Sequence, residues 1–190
     1  MPAVTLLKNA SSMSLRPPDI IDVRRPFESA IRGYVLVRSS QLVVIREFDG
    51  FLPDGLTVLP SNTVTELTIN ERWTEMIACE GHASLANEKP PFLADNIRTV
   101  LDYLISNEFC ARLDCEKSAD AEEYGSHFGR VIKMHEADID FVFFDTAGRW
   151  SAAPYSIPIR SITQIVLHSR YVDTFAKYLG PCPNGTSHSG

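Results

Sequence analysis

The chain has 190 residues, 44% of them apolar and 22% charged, and a formal net charge of −6 at pH 7. That apolar content excludes a chain too polar to fold. No apolar run approaches the roughly 18 residues a transmembrane helix needs, and the acidic balance weighs against a nucleic-acid-binding domain, which usually carries a basic face.

Residues 1–18 read as an irregular or weakly helical lead-in. Val4, Leu6 and Leu7 are apolar, and Pro17 and Pro18 stop any longer element. With one lysine and no apolar core, this is a poor leader peptide, so the cytoplasm is the expected location. Strands are expected at Ile20–Arg24, Ile31–Arg38 and Gln41–Phe48, all rich in β-branched residues. Pro53-Asp54-Gly55 reads as a turn, because proline presets φ and glycine permits positive φ. Leu56–Leu59 is a short strand closed by Pro60, which has no N–H to give a ladder. Val64–Ile69 follows, and then a helix capped by Asn70 and stopped by Gly81.

Residues 86–91 close a first unit on Pro90-Pro91. Leu93–Ser106 is the clearest helix, with Ile97, Val100, Leu101, Leu104 and Ile105 on one stripe. Further strands are expected at Phe109–Cys115, His127–Met134, Ile139–Phe144, Tyr155–Ile159 and Ile162–Leu167, with a polar, acidic loop over Lys117–Ser126. A last helix is capped by Ser169 and ended by Gly180-Pro181. The implied organisation is a first unit over 1–88, a second over 89–180 and a mobile tail over 181–190.

The chain says nearly the same thing twice. Gly33, Val35, Phe48 and Asp49 fall on Gly129, Val131, Phe144 and Asp145. After an insertion of Thr146 and Ala147, the match resumes with Gly50 on Gly148, Pro60 on Pro158, Thr65 on Thr163, Arg72 on Arg170 and Trp73 on Tyr171. Two copies of about 80 residues are too few and too long for a solenoid, so the repeat reads as a duplicated small domain. The recurring features are Gly-aromatic/basic-Val in the second strand, Phe-Asp followed by Gly at a hairpin end, and apolar-Pro before an apolar-Thr-x-apolar strand. On these the chain resembles uncharacterised bacterial proteins with tandem Sm-like, SH3-type barrels. The resemblance implies a mainly β fold with helices (α+β). Two small barrels would pack together, with an amphipathic helix between them and a helix after each. Units this small bury modest cores, so the copies are expected to pack through the Phe-rich Phe141–Phe144 strand and the central helix. Further association into homo-oligomers is left open.

Sm proteins bind RNA through their strand 2–3 and strand 4–5 loops. The corresponding loops here are 38–41 and 135–138, and 60–63 and 158–161. None carries the Asp-x-Asn or apolar-Arg-Gly pattern, and Ile31-Arg32-Gly33 lies at the start of a strand instead. The RNA-binding residues therefore do not transfer, and fold alone does not license function.

Neither cofactor nor metal is implied. Cys79-x2-His82 is the one compact Cys/His pair among four cysteines and five histidines, and no second pair completes a tetrahedral zinc set. No phosphate loop or nucleophile elbow occurs, and no catalytic residue is assigned. His127 and His168 sit near strands of the second copy and are candidates to meet. Asp49 and Asp145 read as duplicated turn residues. Arg72-Trp73 and Arg170-Tyr171 open the two post-repeat helices and are the candidate partner contacts, since arginine and aromatics anchor interfaces; the alternative is that each ring plugs its own domain.

The favoured function is a non-enzymatic interaction or scaffold module for a protein partner. A second reading is weak RNA or single-stranded nucleic-acid binding through Arg24, Arg25, Arg32, Arg38 and Arg46 of the more basic first copy. A third is an enzyme with a cleft between the copies, which requires a buried, pKa-shifted His or carboxylate there.

Overall fold

A computed structural model of the chain describes residues 19–26, 30–115 and 125–183. The lead-in, the 116–124 part of the acidic loop and the 184–190 part of the tail lie outside the described residues.

The two closed barrels expected from the sequence do not form. Ten strands make one antiparallel sheet that is not closed, in the order β5-β1-β2-β3-β4-β10-β6-β7-β8-β9. The first half supplies β1 (Ile21–Arg24), β2 (Ile31–Arg38), β3 (Leu42–Asp49), β4 (Leu52–Pro60) and β5 (Glu66–Ile69). The second supplies β6 (Cys110–Cys115), β7 (Gly125–Met134), β8 (Asp138–Phe143), β9 (Tyr155–Pro158) and β10 (Ile162–Leu167). Among the described residues there are three α-helices: α1 (Glu71–Cys79), α2 (Ile97–Ser106) and α3 (Arg170–Tyr178). Each half runs fifth-first-second-third-fourth strand across the sheet. Closing a half would pair its fourth strand with its fifth. Instead β4 of the first half pairs with β10 of the second, through Val58↔Ile165, Thr57↔Val166 and Leu56↔Leu167. That ladder joins the copies edge to edge, and it is the physical reason neither closes.

The duplication is visible in local geometry. Both second strands slip register at the same place, between Val35 and Val37 in β2 and between Val131 and Val131's neighbour-but-one, Lys133, in β7. Such bulges bend a strand sharply. Just before each bulge stands a glycine whose absent Cβ is required: at Gly33 it would lie 2.1 Å from the Arg46 carbonyl oxygen, and at Gly129 2.1 Å from that of Val142. Each fourth strand ends on its proline and passes through a 3-10 turn, Ser61–Thr63 or Ile159–Ser161. The Thr65 and Thr163 hydroxyls then donate to the carbonyls of Arg24 and Asp114, tying the fifth strand to the first in both halves.

Asn70 and Ser169 cap α1 and α3 as expected, accepting from the Trp73 and Val172 amides. Asn96 caps α2 and forms a reciprocal capping box with Thr99. Val100, Leu101 and Leu104 of α2 enter a core that contains Leu42, Val44, Leu56 and Val58 of the first half and Leu113, Phe141, Ile165 and Leu167 of the second. The central helix thus packs on both copies. The Phe-rich strand does not join them: β8 lies between β7 and β9, away from the junction. Within β8, Phe141 and Val142 are buried while Phe143 is 40% exposed.

Pro53-Asp54-Gly55 is not a turn. The chain reverses at Asp49–Phe51, where Gly50 takes a φ of 61°, and the tripeptide lies inside β4 beside a register shift. Its residues serve the junction instead. A Cβ at Gly55 would stand 2.3 Å from the Leu167 carbonyl oxygen and 2.6 Å from the Ser169 nitrogen, so only glycine lets the second half approach this closely.

Candidate functional site

The four loops compared above converge. Ser40 and Gln41 of the β2–β3 turn, Asn62 and Thr63 of the first 3-10 turn, Glu136–Asp138 of the β7–β8 turn and Ile159-Arg160 of the second 3-10 turn line one cleft of about 1090 Å³. The N-terminus of α2, Asn96–Arg98, completes it. The cleft exists because the β4–β10 ladder places the two copies' equivalent loops side by side, over the helix that both halves share.

Each wall is held from within. Ser39 organises the first turn: its hydroxyl accepts from the Gln41 and Leu42 amides at 3.2 and 3.0 Å. The Ser61 hydroxyl donates to the Ser39 carbonyl at 2.9 Å, binding the first 3-10 turn to it. On the other wall, the Arg98 guanidinium donates to the carbonyls of His135 and Glu136 at 2.8 and 2.7 Å, clamping the β7–β8 turn onto α2. His135 Nε2 lies 3.0 Å from Asp140 Oδ2. Leu42, Ile97, Ile162 and the two strand-ending prolines give an apolar surface, and Glu136, Asp138 and Arg160 bring charge to it. Arg160 is exposed and makes no ion pair among the described residues.

A carboxyl whose protonation burial perturbs lies elsewhere. Burial pushes the Glu47 carboxyl above the ordinary glutamate range, against the Thr57 hydroxyl that donates to it and the nearby charge of Arg112. Glu47, Thr57, Gln164, Arg112 and Asp114 form a polar layer on the four strands around the junction, with Thr57, Gln164 and Asp114 buried. None of these residues lines the cleft. Among the described residues, no group of three potential metal ligands is found.

The candidate partner contacts divide. Trp73 is half-buried against Tyr34, Phe48 and Ile77. Its ring stacks on Phe51 at 4.8 Å and carries the Arg32 guanidinium 4.1 Å above it. Arg72 is exposed, and its side chain makes no ion pair or hydrogen bond among the described residues. Tyr171 is 48% exposed and packs on Phe128 and Phe175. Arg170 crosses between the halves: its guanidinium donates to Asp49 at 2.7 Å and its amide to Asp54 Oδ1 at 2.7 Å. With Tyr171, Thr174 and Phe175 these residues bound a small groove of about 340 Å³. Asp49 therefore anchors the other copy, whereas Asp145 holds its own turn, accepting from the Ala147 and Arg149 amides and the Arg149 side chain. The backbone and side-chain donors of Arg149 hold the Asp145 carboxyl below the ordinary range.

The first-copy arginines are largely engaged. Arg24 stands 3.7 Å from Glu66, Arg32 2.7 Å from Asp22 and Arg46 2.6 Å from Glu88. Arg25 is buried, and Arg38 lies exposed at the end of β2. Burial acts to raise the Asp22 pKa, but hydrogen bonds from Arg32 and Asn70 and the charges of Arg32 and Arg24 hold it below the ordinary range. The histidines are separate: His168 contacts Tyr103 and Phe109, and His127 faces Tyr155. Cys110 and Cys115 are buried, form no disulfide among the described residues, and lie in different apolar clusters.

No helix among the described residues is long and apolar enough to cross a membrane. No family model, no curated protein and no solved structure matches this chain.

Proposed function

We propose that the chain is a non-enzymatic interaction module that holds an extended segment of a partner protein in the cleft between its two copies. The observation that carries this reading is the convergence of four loops and a helix end on one open cleft with an apolar surface and charges of both signs. Concave, largely apolar surfaces with a few oriented polar groups are the usual form of a binding site. The carboxyl that burial raises, Glu47, does not line this cleft. Ion pairing of Arg24, Arg32 and Arg46 leaves less free positive charge for a phosphate backbone, which disfavours the nucleic-acid reading. A cytoplasmic, reducing setting suits four cysteines that form no disulfide among the described residues.

The test is site-specific photocrosslinking in cells of the source organism. A photoreactive residue at Gln41 or Asn62 is expected to capture one discrete protein species, and Arg160→Glu is expected to diminish it. A residue at Tyr178, which is 83% exposed and does not line the cleft, serves as the control. Equal capture from both places, or capture of nucleic acid at Gln41, defeats the reading.

A further inference from the structure

The junction between the copies is a plug in a socket, and the chain retains one more socket. In the internal junction the socket is β10 with the start of α3. Ile165, Val166 and Leu167 offer the ladder, and Arg170 receives Asp49 and Asp54. The plug is the β3–β4 hairpin, which supplies Asp49, Asp54, Gly55 and the strand Leu56–Val58.

The repeat gives every one of these residues a counterpart. The socket is kept in the first copy: Leu67, Thr68 and Ile69 of β5 stand for Ile165, Val166 and Leu167, and Arg72 stands for Arg170. β5 pairs with β1 on one side, and on its other side meets no strand among the described residues. Its Glu66 and Thr68 are exposed, while Leu67 and Ile69 pack inward on Ile21, Val23 and Val43 as a laddered strand should. Arg72 is the second residue of α1, where Arg170 is the first of α3.

The plug is lost in the second copy. Ala152, Ala153 and Pro154 replace Asp54, Gly55 and Leu56. Ala153 brings a Cβ where the internal junction admits none, and Pro154 has no N–H for a ladder. Asp145, counterpart of Asp49, is committed to Arg149 at 2.8 Å. β9 has four residues where β4 has nine. These are the devices that disarm a sheet edge. Among the described residues the sheet therefore ends in an unladdered edge at β5 and a disarmed hairpin at β9, and a head-to-tail junction of copies would need the plug that β9 has lost.

We propose that the free edge of β5 with Arg72 docks a strand of another protein: an extended segment following a hairpin, with an Asp-Gly-apolar sequence and a carboxylate for Arg72. Main-chain pairing of this kind is a common mode of peptide capture. The site is distinct from the cleft.

The probe is a synthetic peptide of residues 49–60, DGFLPDGLTVLP, titrated into the full chain with amide hydrogen exchange as the readout. Slowed exchange at residues 66–69 is expected. A peptide with alanine at the Gly55 position, and a peptide of residues 147–158, AGRWSAAPYSIP, are both expected to bind at least about tenfold more weakly, the equivalent of about 1.4 kcal/mol. Arg72→Glu is expected to lower affinity about threefold at low salt. Protection of β10 in place of β5, equal binding of the alanine peptide, or no protection at about 1 mM peptide overturns the proposal. Because the decisive comparison is between peptides on the unaltered chain, it does not depend on any protein variant folding.

Discussion

The β3–β4 and β8–β9 hairpins occupy the same place in the two copies and do opposite things. Glu47 and Thr57 form a part-buried hydrogen-bonded pair where the sheet continues into β10. The counterpart pair is Phe143 and Tyr155, with ring centroids 5.7 Å apart, on the hairpin that ends the sheet. A carboxylate at a junction between copies is covered by the second half, so it loses water and its pKa rises. An aromatic at the open edge stays part-exposed and packs against its neighbour strand. The lesson is that duplication preserved what each copy needs to fold, namely the glycine bends, bulges and capped helices, and let diverge the surface by which copies meet.

Gly55→Ala attacks this difference most directly. The added methyl meets the Leu167 carbonyl oxygen at 2.3 Å, and overpacking against backbone has no cheap relief. A loss of about 3 kcal/mol is expected in urea unfolding. The reciprocal Ala153→Gly, at an edge, is expected to cost less than about 1 kcal/mol. Equal costs would show that the two hairpins do not differ as described.

Glu47→Gln comes next. The unfolded carboxyl titrates in the ordinary range, and the folded one keeps its proton to higher pH. Between those two values the folded chain binds more protons, so stability falls as pH rises through that window. Glutamine keeps an acceptor for Thr57 and removes the titration. The variant should show a flatter stability-versus-pH curve and be the more stable of the two at pH 7. Asp22 provides the opposite sign: its lowered pKa contributes stability that is present above the ordinary range and lost as pH falls through the folded value. Asp22→Asn should therefore remove part of the acid-side loss.

A smaller effect is expected from Arg170→Ala, which deletes the exposed pair with Asp49 and leaves the amide bond to Asp54 in place. A cost of about 0.5 kcal/mol at low salt, shrinking as salt rises, is expected from calorimetry. Arg72→Ala should leave stability unchanged, because its counterpart carboxylate is on no described neighbour.

Much of the local structure could be read directly. The repeat, β2 at Ile31–Arg38, β10 at Ile162–Leu167 and all three helices follow from residue type and period, because a strand's alternation and a helix's stripe are written in adjacent residues. Arg72, Trp73, Arg170 and Tyr171 were recognisable as a repeated pair, but not that Arg170 spans the copies while Trp73 packs within its own. The four cleft loops were recognisable as loops and not as one surface.

What the sequence by itself determined is therefore the duplication, the element types and their caps, since these depend on neighbours along the chain. What only the tertiary structure decided is which edge each fourth strand meets. An isolated Pro-Asp-Gly has the chemistry of a turn, and it became part of β4 because a strand more than 100 residues away offers a ladder, a carbonyl at contact distance and an arginine for the aspartates. Edge pairing exchanges backbone groups that every residue carries, so sequence specifies it only through the few positions where a side chain would obstruct it, and Gly55 against Ala153 is that position here.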